Sequence, residues 1–245
     1  MRESKIVIYV CSLLIILFLI LTFCLGQENE TLKDIFLGIV TGCIVSLVTS
    51  VISYFSKKQE IVRKIKSNVG PLYLNMLVIC KITDDIVKNI SSAQELNKLK
   101  FGSAHSLSME NRKFIESMEV DLYSGFSRFE KYVRIGNEIS KCKQDVIVLI
   151  NKLSELMISA LKFDHAQKET TIKFFGKTIP FFQLQLLVKM KLSVIINTAR
   201  TYEHGQMLIN NLDCIGRQLF IGKGEQWESM KLFLEKQANS MYQSY

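Results

Sequence analysis

The chain has 245 residues, 48% of them hydrophobic, and a formal net charge of +8. With only two prolines and twelve glycines, the composition is rich in helix-forming residues and favours an all-α fold. The three histidines and six cysteines show no zinc-ligand spacing, and none of the common phosphate-binding, dinucleotide-binding or hydrolase motifs occurs. We therefore expect no metal, no organic cofactor and no enzymatic activity.

A first apolar run covers residues 6–25 and contains no charged residue. A helix of this length crosses the ~30 Å hydrocarbon core of a bilayer. The preceding residues resemble the start of a signal peptide, but the run is longer than a usual signal core and no small-residue cleavage site follows. The run therefore predicts a retained membrane span.

A second apolar run, residues 34–55, is also long enough to span a bilayer, and its two faces differ. One face carries large residues such as Phe36, Val40 and Leu47, which suit lipid. The opposite face is small and mildly polar, which favours close helix packing or, in an assembly of several copies, a pore wall. Packing against the first span is the simplest interpretation, and self-association into a homo-oligomer is the alternative. The small-residue face comprises Gly38, Gly42, Ser46, Thr49, Ser50 and Ser53.

Charges around the two runs predict their orientation. A short, slightly acidic segment, residues 26–33, joins the runs, whereas a basic cluster follows the second one. Because basic residues favour the cytoplasmic side, we expect a two-span hairpin over residues 1–56 with both termini cytoplasmic. The cluster is expected to meet lipid head groups from a stalk over residues 57–70. The basic cluster comprises Lys57, Lys58, Arg63, Lys64 and Lys66.

Residues 71–245 predict an elongated, antiparallel cytoplasmic bundle of four or five helices. Apolar residues recur at three- and four-residue steps over residues 72–93 and 146–161, and a long helix is expected from Gln183 to about Phe220. Gly70-Pro71 predicts a helix break, because proline removes a backbone donor.

Shorter segments predict interruptions of the bundle helices. Residues 101–107 have the composition of a loop, with Ser108 as the N-cap of the next helix, and Gly136-Asn137 predicts a bend or turn. Residues 221–226 predict another turn, after which a final helix begins near Trp227.

Residues 163–180 form the least regular segment, and two pairs of phenylalanines bracket Lys177. The simplest interpretation is a loop whose aromatic side chains cap the bundle core. A loop that docks on a membrane surface or on a partner is the alternative. The residues concerned are Phe174, Phe175, Lys177, Phe181 and Phe182.

Charge is unevenly distributed along the chain. Residues 1–55 hold three basic and four acidic residues, a net charge of −1, which leaves +9 on the remainder. A basic domain tethered to a membrane is expected to meet anionic membrane lipids. A protein partner on the bundle and nucleic acid bound through the basic domain are the other interpretations of the same charge.

This layout joins a membrane hairpin, a basic stalk and a helical domain without enzyme motifs. It resembles the two-span effectors of bacterial anti-phage defence, including the membrane effectors of retron systems. The resemblance concerns the layout of residues 6–25, 34–55 and 57–66. It implies a location in the bacterial inner membrane and disruption of that membrane when a cytoplasmic partner releases the protein. A membrane-anchored adaptor or sensor that recruits a soluble or nucleic-acid-bearing partner is the alternative.

Overall fold

The computed structural model describes residues 2–25, 30–89, 98–125, 132–173, 177–220 and 224–244. Over these residues the chain forms six helices and no strand, which confirms the predicted all-α fold. Two apolar N-terminal helices long enough for a membrane hairpin precede a helical bundle. The helices are α1 (Arg2–Leu25), α2 (Glu30–Asn89), α3 (Lys98–Gly125), α4 (Tyr132–Lys173), α5 (Phe181–Leu219) and α6 (Gly224–Gln243).

Contacts define two compact units, one of residues 1–64 with 121–128 and one of residues 65–120 with 129–245. In the first unit α1 and the first part of α2 pack antiparallel. The Lys5 ammonium lies 5.4 Å from the centroid of the Tyr54 ring, and the Phe18 and Phe36 ring centroids lie 5.8 Å apart. The second unit is a bundle of the remaining part of α2 with α3, α4, α5 and α6.

Helix α2 passes through Pro71 without interruption, so the predicted break is wrong. Proline costs a helix about 3 kcal/mol. Leu72 and Met76 are fully buried, and each such burial stabilises the bundle by about 1.5–3 kcal/mol, which offsets that cost. Gly70 also lacks the Cβ that a following proline ring would crowd.

The predicted loop at residues 101–107 is also wrong, because these residues lie inside α3. Phe101 and Ala104 are buried. Their burial favours a helix here, although the glycine and serine content of the segment favours a loop. Ser108 is not an N-cap: its hydroxyl donates to the backbone oxygen of Ala104 at 2.9 Å within the helix.

The turn predicted at Gly136-Asn137 is wrong as well. Gly136 is buried within α4, between Ile135 and Ile139, which are also buried. The apolar stripe therefore continues through the glycine, and α4 begins at Tyr132. The predicted long helix and final helix are confirmed as α5 and α6. The predicted turn is wrong for residues 224–226, which begin α6, and residues 221–223 lie outside the described residues.

Helix α5 runs antiparallel to α4 and approaches α2 closely. His204 Nε2 donates to the backbone oxygen of Asp145 at 2.9 Å, and the Asn211 amide donates to the Asp145 carboxylate at 3.4 Å. A Cβ atom at Gly205 would lie 2.7 Å from the sulfur of Cys80. The absence of a side chain at Gly205 therefore sets the spacing between α5 and α2.

Trp227 joins α6 to α5 and α2. Its ring is fully buried, 5.6 Å from the Tyr73 ring and 5.7 Å from the Phe220 ring, between centroids. A Cβ atom at Gly216 would lie 2.2 Å from the Trp227 ring. The indole nitrogen donates to Asp213 at 2.9 Å, which satisfies its only polar group.

We expect Gly216→Ala to destabilise the protein by about 1–3 kcal/mol, because the new methyl group overlaps the Trp227 ring and forces α6 to move. Chemical denaturation of the detergent-solubilised chain measures this free energy. Gly102→Ala is the matched control, since nothing lies within 4 Å of its new Cβ. The control should be neutral or up to about 1 kcal/mol more stable, since alanine is the better helix former. Equal effects at the two sites would contradict this packing account.

Asp213 is the centre of a charged cluster between α5 and α6. Its carboxylate lies 2.9 Å from Lys231 and 2.9 Å from Arg217. Partial burial raises the pKa of Asp213, but hydrogen bonds from Lys231 and Trp227 outweigh burial and hold that pKa below its usual value of 3.8.

Asp213 should therefore stabilise the fold at neutral pH and lose that contribution in acid. A carboxyl whose folded pKa is depressed contributes fully above its unfolded pKa, and the contribution disappears as the pH falls through the folded pKa. The free energy of unfolding of the wild type should fall below about pH 4, and Asp213→Asn should lack that part of the decrease. Parallel pH curves for the two proteins would show that Asp213 does not contribute.

Candidate functional site

Two helices have the length and composition of membrane spans. The apolar windows of α1, within Lys5–Cys24, and of α2 have mean hydropathies of 3.1 and 2.4, and only 6% of each window is buried. The core helix of a water-soluble bundle buries its apolar stripe, whereas here large side chains such as Ile20 and Ile52 are mostly exposed. The surface of both helices therefore suits lipid better than water.

Helix α1 packs against the part of α2 that carries Phe36 and Val40. Val40 is only 5% exposed, and Cys11 of α1 is also buried. The prediction that Val40 faces lipid is therefore wrong. Large aliphatic and aromatic side chains offer a neighbouring helix more dispersion contacts than glycine or serine do, and α1 packs where those contacts are available.

The small-residue face of α2 is left open. Gly38, Gly42, Ser46 and Thr49 are exposed. A Cβ atom at Gly38 or Gly42 would meet nothing within 4 Å in the described chain. The interpretation in which α1 covers this face is therefore wrong for the two glycines, and packing against another copy stays a prediction. The remaining members of the face, Ser50 and Ser53, are half-buried.

Two threonine hydroxyls on or near this face are satisfied within their own helix. Thr49 donates to the backbone oxygen of Val45 at 2.9 Å, and Thr41 donates to that of Leu37 at 2.8 Å. Such bonds let a hydroxyl sit in lipid without an unpaired polar group. Residues 35–56 contain no charged side chain, so this surface offers close backbone approach rather than proton or ion coordination by acids and bases.

Most of the basic cluster lies on the surface at the end of the second apolar run. Lys57, Arg63 and Lys64 are exposed. Lys64 lies 3.5 Å from Glu60, with both side chains more than half exposed. A pair so exposed contributes little to stability.

Two lysines of the cluster contact aromatic rings instead. Lys58 lies 6.0 Å from the centroid of the Tyr54 ring, which Lys5 also approaches. Tyrosine flanked by lysines is typical of the boundary between hydrocarbon and head groups. In the second unit, Lys66 lies 4.8 Å from the centroid of the Phe220 ring. Lys66 is therefore engaged with the bundle.

The predicted aromatic loop is shorter than expected, because residues 163–173 lie within α4 and α5 begins at Phe181. Phe181 and Phe182 are 81% and 73% exposed, and Lys177 is exposed as well. The prediction that these aromatic rings cap the bundle core is therefore wrong for Phe181 and Phe182. Phe174 and Phe175 lie outside the described residues.

Two cysteines of the bundle, Cys80 and Cys142, are buried in settings that make them unreactive. Burial raises the pKa of the Cys80 and Cys142 thiols to about 12, so both are protonated and poorly nucleophilic at neutral pH. Within the described ranges, no three His, Cys, Asp or Glu side chains come together as a metal-binding group.

Comparisons with protein-family models, with curated proteins and with solved structures found no match to this chain. Its fold and exposed surfaces define a class: an all-helical protein with two apolar N-terminal helices and a helical bundle. The resemblance to retron-type membrane effectors stays a prediction.

The predicted topology can be tested by cysteine labelling in intact cells. Cysteine introduced at Gln27, outside the described residues, should react with an impermeant maleimide once the native Cys24 is replaced by serine. Cys214 is the reporter for the side predicted to be cytoplasmic, because it is exposed, whereas Cys142 is buried. Cys214 should react only after lysis. Protection of the Gln27→Cys site until lysis would contradict the two-span orientation.

Proposed function

We propose that the protein is a non-enzymatic membrane effector of bacterial anti-phage defence. Helices α1 and α2 anchor it in the inner membrane with both termini in the cytoplasm, and a cytoplasmic partner on the bundle holds it inactive. On release, copies assemble through the small-residue face of α2 and disrupt the membrane. The observation that carries the proposal is the open face at Gly38 and Gly42, where an added Cβ atom would meet nothing within 4 Å in the described chain.

An open small-residue face supports assembly for a physical reason. Helices in lipid gain no hydrophobic stabilisation from contact, so association depends on close backbone approach, dispersion and hydrogen bonds between helices. The exposed part of the face, from Gly38 to Thr49, extends over about 17 Å of helix, more than half the thickness of the hydrocarbon core. A second copy of α2 can approach α2 along this part.

The adaptor function is favoured by a different observation. Exposed phenylalanines and lysines at the start of α5 suit the recruitment of a partner, which needs no change in the membrane. An adaptor or sensor would bind a soluble or nucleic-acid-bearing partner through the basic bundle and leave the bilayer intact.

Dye entry into induced cells separates the two functions. We expect wild-type protein to admit a membrane-impermeant dye, and Ser46→Leu or Gly42→Ile to abolish entry because each fills the face that a second helix must approach. A loss of about 1.4 kcal/mol in helix association already lowers assembly tenfold. Flow cytometry measures dye entry, and membrane fractionation checks that each variant still inserts.

Val48→Leu is the matched control, since Val48 is exposed on the other side of the helix. It should leave dye entry unchanged. Undiminished entry with Gly42→Ile would contradict assembly through this face. No entry with any version, including the wild type freed from its partner, would favour the adaptor.

A further inference from the structure

The end of the α4–α5 hairpin exposes an unusual amount of apolar surface. Over residues 165–173 of α4 and 181–193 of α5, which we call the tip, no residue is buried. Eight of the thirteen α5 residues of the tip are nevertheless hydrophobic. The first buried residue of α5 is Val194. Exposed apolar surface on this scale, in a part of the bundle rich in lysine, marks an interaction site rather than ordinary surface variation.

The exposed side chains are ordered along α5. Five of them follow one another at three- and four-residue steps and so share one face of the helix. The face extends over about 22 Å, the length of four helical turns. This apolar stripe comprises Phe181, Leu184, Val188, Leu192 and Ile196, all more than 40% exposed.

Lysines border the stripe on both sides. At about 100° per residue, Lys189 and Lys191 lie roughly 80° to either side of its centre. No acidic residue occurs from Phe181 to Tyr202, and residues 158–200 hold seven basic residues against two acidic ones. The surface that borders the stripe is therefore positive, and it complements a partner that carries carboxylates.

We propose that the apolar stripe is the docking surface for an acidic amphipathic helix of a soluble protein partner. Leucine-like side chains of that helix would cover the stripe, and carboxylates on its two flanks would pair with Lys189 and Lys191. A second copy of the chain would bring the same positive charge to the contact and be repelled.

The stripe also favours a protein over a lipid surface. Gln185 is exposed and lies within the angular range of the stripe, between Phe181 and Val188. An amide there is costly against lipid chains, whereas between two helices it can hydrogen-bond across the contact and fix the register. Only the consequence of docking, control of the effector, rests on the proposed function. Docking itself is measured without any membrane activity.

The test uses the full chain in nanodiscs of neutral phosphatidylcholine. The probe is a fluorescent synthetic helical peptide with leucine at positions a and d and glutamate at e and g. Fluorescence anisotropy should show saturable binding, and Val188→Ser with Leu192→Ser should weaken it at least about tenfold. Val148→Ser with Leu232→Ser, a matched pair of exposed residues on α4 and α6, should leave binding unchanged.

Charge reversal makes the test specific. The double variant with Lys189→Glu and Lys191→Glu should no longer bind the glutamate peptide. It should instead bind a peptide with lysine at e and g. Binding that ignores the stripe and charge substitutions, or no saturable binding up to about 100 µM peptide, would overturn the proposal. Stripe-dependent binding to anionic phosphatidylglycerol vesicles without peptide binding would overturn it in favour of lipid. Stripe-dependent dimerisation in sedimentation would do so in favour of a second copy.

The dye-entry experiment reports on the proposed function separately. Peptide binding without dye entry leaves the docking surface standing and removes the effector function. Dye entry without stripe-dependent peptide binding removes the docking surface and leaves the effector function standing.

Discussion

Close backbone approach at glycine is the constraint on which the bundle depends. Helix α5 lies against α2 at Gly205 and against the Trp227 ring at Gly216, and in both places a Cβ atom would overlap its neighbour. These contacts let α5 pack against α2, α4 and α6. They also bury Trp227 while its indole nitrogen keeps a hydrogen bond to Asp213. A helix with larger residues at either position would stand too far away for the same core to close.

Glycine has the opposite environment in the apolar part of α2. Gly38 and Gly42 provide the same opportunity for close approach, yet nothing in the described chain fills it. Under the proposed membrane location, the contrast follows from the different surroundings of the two helices, lipid for α2 and water for the bundle. In the bundle, water favours the burial of apolar surface, and the core-facing glycines Gly205 and Gly216 contact neighbouring side chains. A groove that faces lipid would be under no such pressure, so it would stay open at little cost until another helix packs against it.

The sequence predicted the all-α fold and two of the bundle helices, but it placed interruptions inside helices and did not predict which faces of α2 are covered. Periodicity located α5 and α6 closely, because burial repeats with the helical period. It failed at residues 101–107 and at Gly136, where glycine and serine suggested loops but flanking buried residues carried the helix through. It also failed to predict which side of α2 meets α1, since both sides are compatible with lipid. Likewise, the exposure of Phe181 depends on where the helices beside α5 end. Local sequence patterns do not predict how far the neighbouring helices extend.

The apolar stripe of α5 and the small-residue face of α2 gain stability from a partner in different ways. This difference supports the proposed order, in which the bundle's partner is released before copies assemble in the membrane. An apolar stripe in water costs roughly 25 cal/mol for each Å² left uncovered, so the tip of α5 gains stability whenever a partner covers it. The small-residue face gains from a partner only through packing, which requires a second copy at close range. Under the proposed function the bundle would therefore be occupied in the resting state while the face in the bilayer is empty. Loss of the bundle's partner would then change the protein first on its water-exposed side, and assembly in the membrane would follow.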